Sequence, residues 1–272
     1  MTAAPPVALT IAGSDSGGGA GLQADLRTFT TCGVHGCVAV TAVTVQNSVG
    51  VTGFVEIAPS TVADQMRAVA TDIGVAAAKT GMLASAAIIS AVAAVCDEVG
   101  IGASVPLVVD PVAASMHGDP LLAGDALAAL RSELLPRATL LTPNLDEVRL
   151  LAGVDVRTRR EQHEAARALH ALGPRWVLVK GGHLRADPEC VDLLYDGSEF
   201  TTFISHRLAT PHTHGSGDTL AAAITSALAR GSAMPAAVSY GKHYIEQAVA
   251  HSYPLGSGVG PVSPFWRLRP YL

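Results

Sequence analysis

Residues 7–32 read VALTIAGSDSGGGAGLQADLRTFTTC: an apolar run of strand length (7–12), a glycine-rich loop (13–21) and a segment of helical period (21–32). The same rhythm recurs along the chain. Further strand-length apolar runs lie at 37–46, 75–79, 105–110, 138–142 and 176–180, and 191–196 and 199–204 flank a Gly197-Ser198 turn as a hairpin. Ala/Leu-rich helical segments fall at 60–72, 85–99, 123–134, 145–152, 159–172, 217–230 and 235–251. Strands alternating with longer helices predict an α/β fold, with a mostly parallel sheet and crossover helices. No Pro/Ser-rich linker and no internal repeat interrupts the pattern, so residues 1–272 are expected to form a single domain.

Composition agrees with a heavily buried sheet. The chain has 272 residues, 49% hydrophobic and 15% charged, with 18 Lys+Arg against 23 Asp+Glu for a net charge of −5. That balance is the opposite of what disorder requires. With no basic run, the chain is also a poor match for nucleic acid, whose phosphates call for clustered Lys and Arg. Mean hydropathy is +0.35, which raises the question of a membrane. The longest stretch without Asp, Glu, Lys or Arg, 28–55, contains His35, Gln46, Asn47 and several glycines, and 84–96 is too short to span. The opening MTAAPPVALTIAG lacks the basic and apolar regions of a secretory signal. Cys32, Cys37, Cys96 and Cys190 form no CxxC pair, so free thiols and a cytoplasmic setting are expected.

The rare polar residues fall in informative places. Lys79, Asp110, Thr142 and Lys180 each end an apolar strand, where ligands bind in open α/β sheets. Strand ends are also simply where solvated residues begin. Loop 13–21 is neither a Walker A loop nor a G-x-G-x-x-G dinucleotide loop; it implies close backbone approach to a ligand, or a turn that needs positive φ. Thr213-His-Gly-Ser-Gly-Asp-Thr219 precedes a helical segment with Leu220, Ile224 and Leu228 on one face and Gly231 at its end. Gly215, Ser216 and Gly217 therefore sit at a helix N-terminus, where free N–H groups attract anions. Asp218 is also where a helix-capping carboxylate would sit. Asn144 and Glu147, three apart in TPNLDE, share a helix face, although a Glu in a first turn is often just solvated. His212 and His214 alternate in an extended loop with no third ligand nearby, which argues against a metal pair.

These segments together carry a resemblance. LTIAGSDSGGGAGLQAD (9–25), VTAVTVQNSVGV (40–51), KTGML (79–83), VVDPV (108–112), GDPLL (118–122), LLTPNLDE (140–147), VLVKGGH (177–183), THGSGDTLAAAI (213–224) and GSGVGPVSPF (256–265) occur in order. The chain resembles the bacterial hydroxymethylpyrimidine/phosphomethylpyrimidine kinases of thiamine biosynthesis, within the ribokinase-like superfamily. The resemblance implies a three-layer α/β/α sandwich, ATP and Mg²⁺ as cofactors, a small pyrimidine substrate and a homodimer. By the same analogy the pyrimidine lies among Gly13, Ala20, Asp25 and Gln46, with Met82 and Val112 as apolar walls. Gln46 is its polar reader, since one amide both donates and accepts. Asn144, Lys180, Thr213, Gly215 and Gly217 would hold the nucleotide. Asp110 and Glu147 would organise Mg²⁺ through water. Lys180 would neutralise the moving phosphate, residues 215–217 would form an anion hole, and Asp218 would be the base.

Four positions depart from the family pattern. The first loop usually reads D-P-S-G-G-A-G, but Ser16 and Gly17 stand for its Pro and Ser. The anion-hole loop usually ends in Cys, but Asp218 stands there, as in ribokinase-type sugar kinases. Thr44 replaces an apolar residue and is given no substrate contact. A carboxylate beside an alcohol acceptor can serve as a base, whereas beside a monophosphate it repels. The rival readings are a pyridoxal kinase of the same superfamily and, from another class, an inactive ligand-binding module. A sugar kinase fits less well, because Gln46 beside Met82 and Val112 suits a flat heteroaromatic ring.

Overall fold

The computed structural model describes residues 4–113, 124–182 and 189–268. The strands are β1 (Val7–Ser14), β2 (His35–Gln46), β3 (Val51–Glu56), β4 (Ala77–Thr80), β5 (Leu107–Val109), β6 (Leu140–Leu141), β7 (Trp176–Val179), β8 (Glu189–Tyr195) and β9 (Phe200–His206). They form one nine-stranded sheet in the order β3-β2-β1-β4-β5-β6-β7-β8-β9. The inner pairs, from β2–β1 to β6–β7, are parallel. The edge pairs β2–β3, β7–β8 and β8–β9 are antiparallel. From β1 the chain goes to β2 on one side and returns to β4 on the other. Such a reversal opens a crevice at the carboxyl ends of the strands.

The helices are α1 (Gly21–Thr31), α2 (Pro59–Ala68), α3 (Ala86–Val99), α4 (Gly124–Ala129), α5 (Leu145–Ala152), α6 (Arg159–His170), α7 (Ser216–Ala229) and α8 (Met234–Ala250). Strand alternation sorts them into two layers. Leu9, Ile11, Ala78, Leu107, Val109, Leu141, Val177 and Val179 share a core with Met66 of α2, Val92 of α3, Val148 of α5 and Ala165 of α6. The intervening Ala77, Val108, Leu140 and Leu178 pack on Leu220, Ile224 and Val238 of α7 and α8, and Ala8 packs on Phe29 of α1. Both faces of the sheet are therefore covered, giving the three-layer α/β/α sandwich. Each fully buried Leu, Ile or Val contributes about 1.5–3 kcal/mol, which accounts for the high hydropathy without a membrane. Among the described residues no helix is long and apolar enough to cross one. Lys79 lies two residues beyond Ala77 and so points into the α7 layer.

Several elements differ from the pattern read in the sequence. β3 is not visible in the periodicity because it is an edge strand with mostly exposed side chains. It pairs with β2 through a turn in which Asn47 Oδ1 accepts from the Val49 and Gly50 N–H groups. α2 ends at Ala68 and continues as a π turn (Val69–Ile73); α4 does the same over Leu130–Leu134. The ladder of β5 and β6 stops short of Asp110 and Thr142, which leaves both free to face the crevice. The GDPLL segment (118–122), the first residue of the 123–134 helix and His183 lie outside the described residues. All four cysteines are free thiols.

Candidate active site

The loop after β1 is wound around one carboxylate. Asp15 accepts from the backbone N–H groups of Gly17 (2.8 Å), Gly19 (2.9 Å) and Ala20 (2.9 Å), and His214 Nε2 lies 2.9 Å from its Oδ2. Burial raises the Asp15 carboxyl, but the His214 contact and these N–H groups outweigh it and hold the group below the usual carboxylate range. Ser16 pins the loop to the end of β2: its Oγ donates to the Gln46 carbonyl (2.7 Å) and accepts the Gln46 N–H (2.8 Å). Thr44 adds a hydrogen bond to the Ser14 carbonyl at 2.7 Å. A Cβ on Gly13 would come within 3.2 Å of the Met82 sulfur. Gly13 thus lies beside Met82, and the loop that carries Ala20 lies beside the end of β2 at Gln46. Val112, half-buried, packs against the larger core.

The loop before α7 packs directly on this one. Gly215 is the N-cap of α7 at φ 75°, and a side chain there would overlap the Gly19 carbonyl. Only glycine meets both demands. The segment 256–265 straps the loop from outside, with His214 N–H donating to Gly260 O and Val262 N–H to His214 O. His212 Nδ1 accepts the Gly260 N–H at 3.0 Å. Both imidazoles therefore serve as loop fasteners, and no group of three metal-ligating side chains occurs among the described residues.

Asp218 does not cap α7, which has no side-chain cap. Its Oδ1 lies 3.3 Å from Nζ of Lys79, a side chain with no exposed surface. The same ammonium straddles Asp25, at 2.9 Å from Oδ1 and 3.0 Å from Oδ2, and Thr10 donates to Asp25 Oδ2 at 2.6 Å. Asp25, expected beside the pyrimidine, is itself completely buried and is bonded to Lys79 and Thr10. Burial pushes the Asp25 carboxyl up to about 7 against the pull of Lys79. Burial also opposes charge on Lys79, but Asp25, Asp218 and Asp110 outweigh it and keep the amine protonated.

A second cluster lies on the other side of the α7 terminus. Asp110 Oδ1 accepts from Lys180 Nζ and from Thr142 Oγ1, both at 3.0 Å, and Lys180 is 3.9 Å from Glu147. A Cβ on Gly217 would lie 3.3 Å from Asp110 Oδ2 and 3.6 Å from Lys180 Nζ, so the loop backbone sits against this cluster. Asn144 and Glu147 form a capping box that opens α5, and Glu147 is buried rather than solvated. Burial raises the Glu147 carboxyl; Lys180 pulls it back and Asp110 pushes it further, to about 8. Beside the cluster runs an open groove of about 690 Å³, bordered by Asn144, Lys180, Thr213, Ser216, Gly217 and Lys242. Four of the five residues expected to hold the nucleotide line it, and Gly215 lies buried beneath.

The family model for phosphomethylpyrimidine kinase matches residues 15–263. The chain belongs to this family. The hydroxymethylpyrimidine/phosphomethylpyrimidine kinase of Mycobacterium tuberculosis is 60% identical over 264 residues, covering 97% of this chain and 95% of that one. Among solved structures, an ADP complex of Bacillus subtilis pyridoxal kinase superposes with a TM-score of 0.88 at 38% identity, covering 97% of this chain and 99% of that one. The phosphomethylpyrimidine kinase of Clostridium difficile superposes with a TM-score of 0.79 at 37% identity, over 90% and 99% of the two chains. The ribokinase-like reading of the fold stands with them.

Within this phosphomethylpyrimidine kinase family member, three pairings were not legible from the sequence. Asp15 and His214 meet only because two glycine loops stack. Lys79 stands out as a lone charge in an apolar strand, but its two partners come from α1 and α7. Asp192 interrupts apolar β8 and pairs with Lys242 at 2.6 Å, while its other oxygen accepts the Gly181 N–H at 2.9 Å and fixes the turn after Lys180. The charge in VDLLY was the available signal.

Proposed function

We propose that this kinase transfers the ATP γ-phosphoryl group to the hydroxyl of 4-amino-5-hydroxymethyl-2-methylpyrimidine, and then to the resulting monophosphate, in thiamine biosynthesis. The observation that carries the reading is the position of α7: its first turn lies between the Asp110–Lys180 cluster at Gly217 and the Lys79 contact at Asp218. A phosphoryl group moving past a helix N-terminus meets N–H groups without intrahelical partners. Nucleotide binds in the groove at Asn144, Lys180 and Thr213 and against Gly215 and Gly217; nucleotide use itself is supported by the ADP complex of the similar Bacillus subtilis pyridoxal kinase. The pyrimidine lies in the corner of Gly13, Ala20, Gln46, Met82 and Val112.

The donor set fits Mg²⁺. Asp110 and Glu147 bring two buried carboxyl groups, both hard oxygen donors, to a single ammonium, Lys180, and a divalent cation there would favour the ionised form of Glu147 that burial opposes. Bound there through water, Mg²⁺ would supply charge neutralisation for the nucleotide phosphates. Lys180 steadies the transferring group, and residues 215–217 stabilise its equatorial oxygens. Asp218 receives the alcohol proton late. An alcohol is a far weaker acid than a carboxylic acid, which precludes full deprotonation before attack. The monophosphate is already anionic near pH 7 and needs no base.

The nine-stranded sheet supports a single kinase domain, the net charge of −5 supports small-molecule partners rather than nucleic acid, and four free thiols support a cytoplasmic setting. A homodimer is supported by the β2–β3 ribbon, where Val45 is 62% and Val55 68% exposed beside exposed Val43 and Phe54. ADP release measured with the pyrimidine, pyridoxal and ribose tests the acceptor. Highest kcat/KM with the pyrimidine is expected; preference for pyridoxal would favour the sister activity, and no turnover with any of them would favour a binding module.

A further inference from the structure

A carboxylate at the base position helps the alcohol step and hinders the monophosphate step, so one site serving both acceptors needs a counter-charge. Lys79 is placed to supply it. Its ammonium has no exposed surface and lies 3.3 Å from Asp218, whose side chain is 16% exposed. The amine therefore reaches Asp218 from the sheet side and leaves the open side to the acceptor. Gly81 keeps the contact uncrowded, since a Cβ there would come within 3.3 Å of Lys79 Nζ and 3.8 Å of Asp218 Oδ1. Asp25 and Thr10 hold the amine in place from below. Lys180 lies on the other side of the α7 terminus, with Asp110 and Glu147, and Lys242 is paired with Asp192.

We infer that Lys79 is a positioning residue that sets acceptor range: it offsets the charge of Asp218 from beneath, so that the site accepts a neutral alcohol and a negatively charged monophosphate alike. This rests on the two-step reading of the activity. In a water-poor site the offset matters, because like charges brought together there cost far more than in bulk solvent.

The test isolates one charge. Asp25→Asn keeps the Thr10 contact and leaves Lys79 paired with Asp218 alone; Lys79→Met added to it removes only the ammonium and leaves no buried carboxylate without a partner at Asp25. Lys79→Met alone would strand Asp25, so the double variant keeps the test independent of folding failure. Steady-state kinetics with each acceptor should show the step from Asp25→Asn to the double variant raising KM for the monophosphate about tenfold more than KM for the alcohol. Adding Asp218→Asn should bring the monophosphate KM back down. A merely structural Lys79 would move both KM values together, and that parallel change, or no recovery with Asp218→Asn, overturns the inference. If the unaltered protein phosphorylates neither acceptor, the kinase reading falls and the inference with it; turnover of both with parallel losses overturns the inference alone.

Discussion

His214 Nε2 lies 2.9 Å from Oδ2 of Asp15, joining the loop after β1 to the loop before α7 across 199 residues of sequence. In the proposed site the first loop borders the acceptor corner and the second forms the anion hole, so this contact would fix the two halves relative to each other. Asp15→Asn is expected to cost about 1–3 kcal/mol of stability at pH 7, since it weakens a buried, multiply bonded carboxylate. The folded Asp15 group titrates below its unfolded value, so its contribution is full above about pH 3.9 and is lost as pH falls through the folded value. Urea unfolding of both proteins at pH 7 and pH 3 checks this. The gap between them should narrow at the lower pH; a constant gap contradicts the assignment.

Gly215→Ala separates backbone strain from steric overlap. Gly215 and Gly231 both have positive φ, 75° and 83°, but only Gly215 has a carbonyl where its Cβ would go. Gly231→Ala should therefore cost only the left-handed penalty of about 1–2 kcal/mol. Gly215→Ala should cost more and also displace the anion hole, lowering kcat by about 10²–10³. Thermal unfolding and kcat measured on both variants make the comparison. Equal effects would mean that the two loops do not pack as described.

Ser16 stands where the family usually has Pro, and its hydroxyl does what a proline cannot: it bonds both the N–H and the carbonyl of Gln46. Ser16→Ala should release the end of β2 and raise KM for the pyrimidine by about tenfold, the worth of one or two net hydrogen bonds. kcat should change less. A variant with unaltered KM would show that Gln46 is held by the strand alone.

Asp218→Asn keeps the size of the side chain and removes its basicity. Single-turnover rates should fall about 10²–10⁴-fold for the alcohol, the usual scale of a lost general base, and far less for the monophosphate. Equal losses would end the division of roles between the two steps.

The sequence carried the layers of the fold because strand alternation and helical period write burial directly. Leu107, Val108 and Val109 read as a run, and the run predicts cover on both faces. It also carried Lys79, Asp110 and Lys180, whose charge is conspicuous in an apolar chain. β3 escaped because an exposed edge strand obeys no burial period. Asp15 escaped because its donors are the backbone N–H groups of Gly17, Gly19 and Ala20, which show nothing in a one-letter code, and because its other partner is distant in sequence. His214 was visible as one of two alternating histidines, but its use depends on where the 256–265 strap holds it. The charge of Asp25 was legible and its burial was not; burial of a charge shows only when its counter-ion is in place.

Mass spectrometry of the products formed from 4-amino-5-hydroxymethyl-2-methylpyrimidine with ATP and Mg²⁺ tests the central claim. The account predicts the monophosphate first and then the diphosphate, with one ADP released at each transfer. A mixture that stops at the monophosphate, or that contains no phosphorylated pyrimidine, would contradict it.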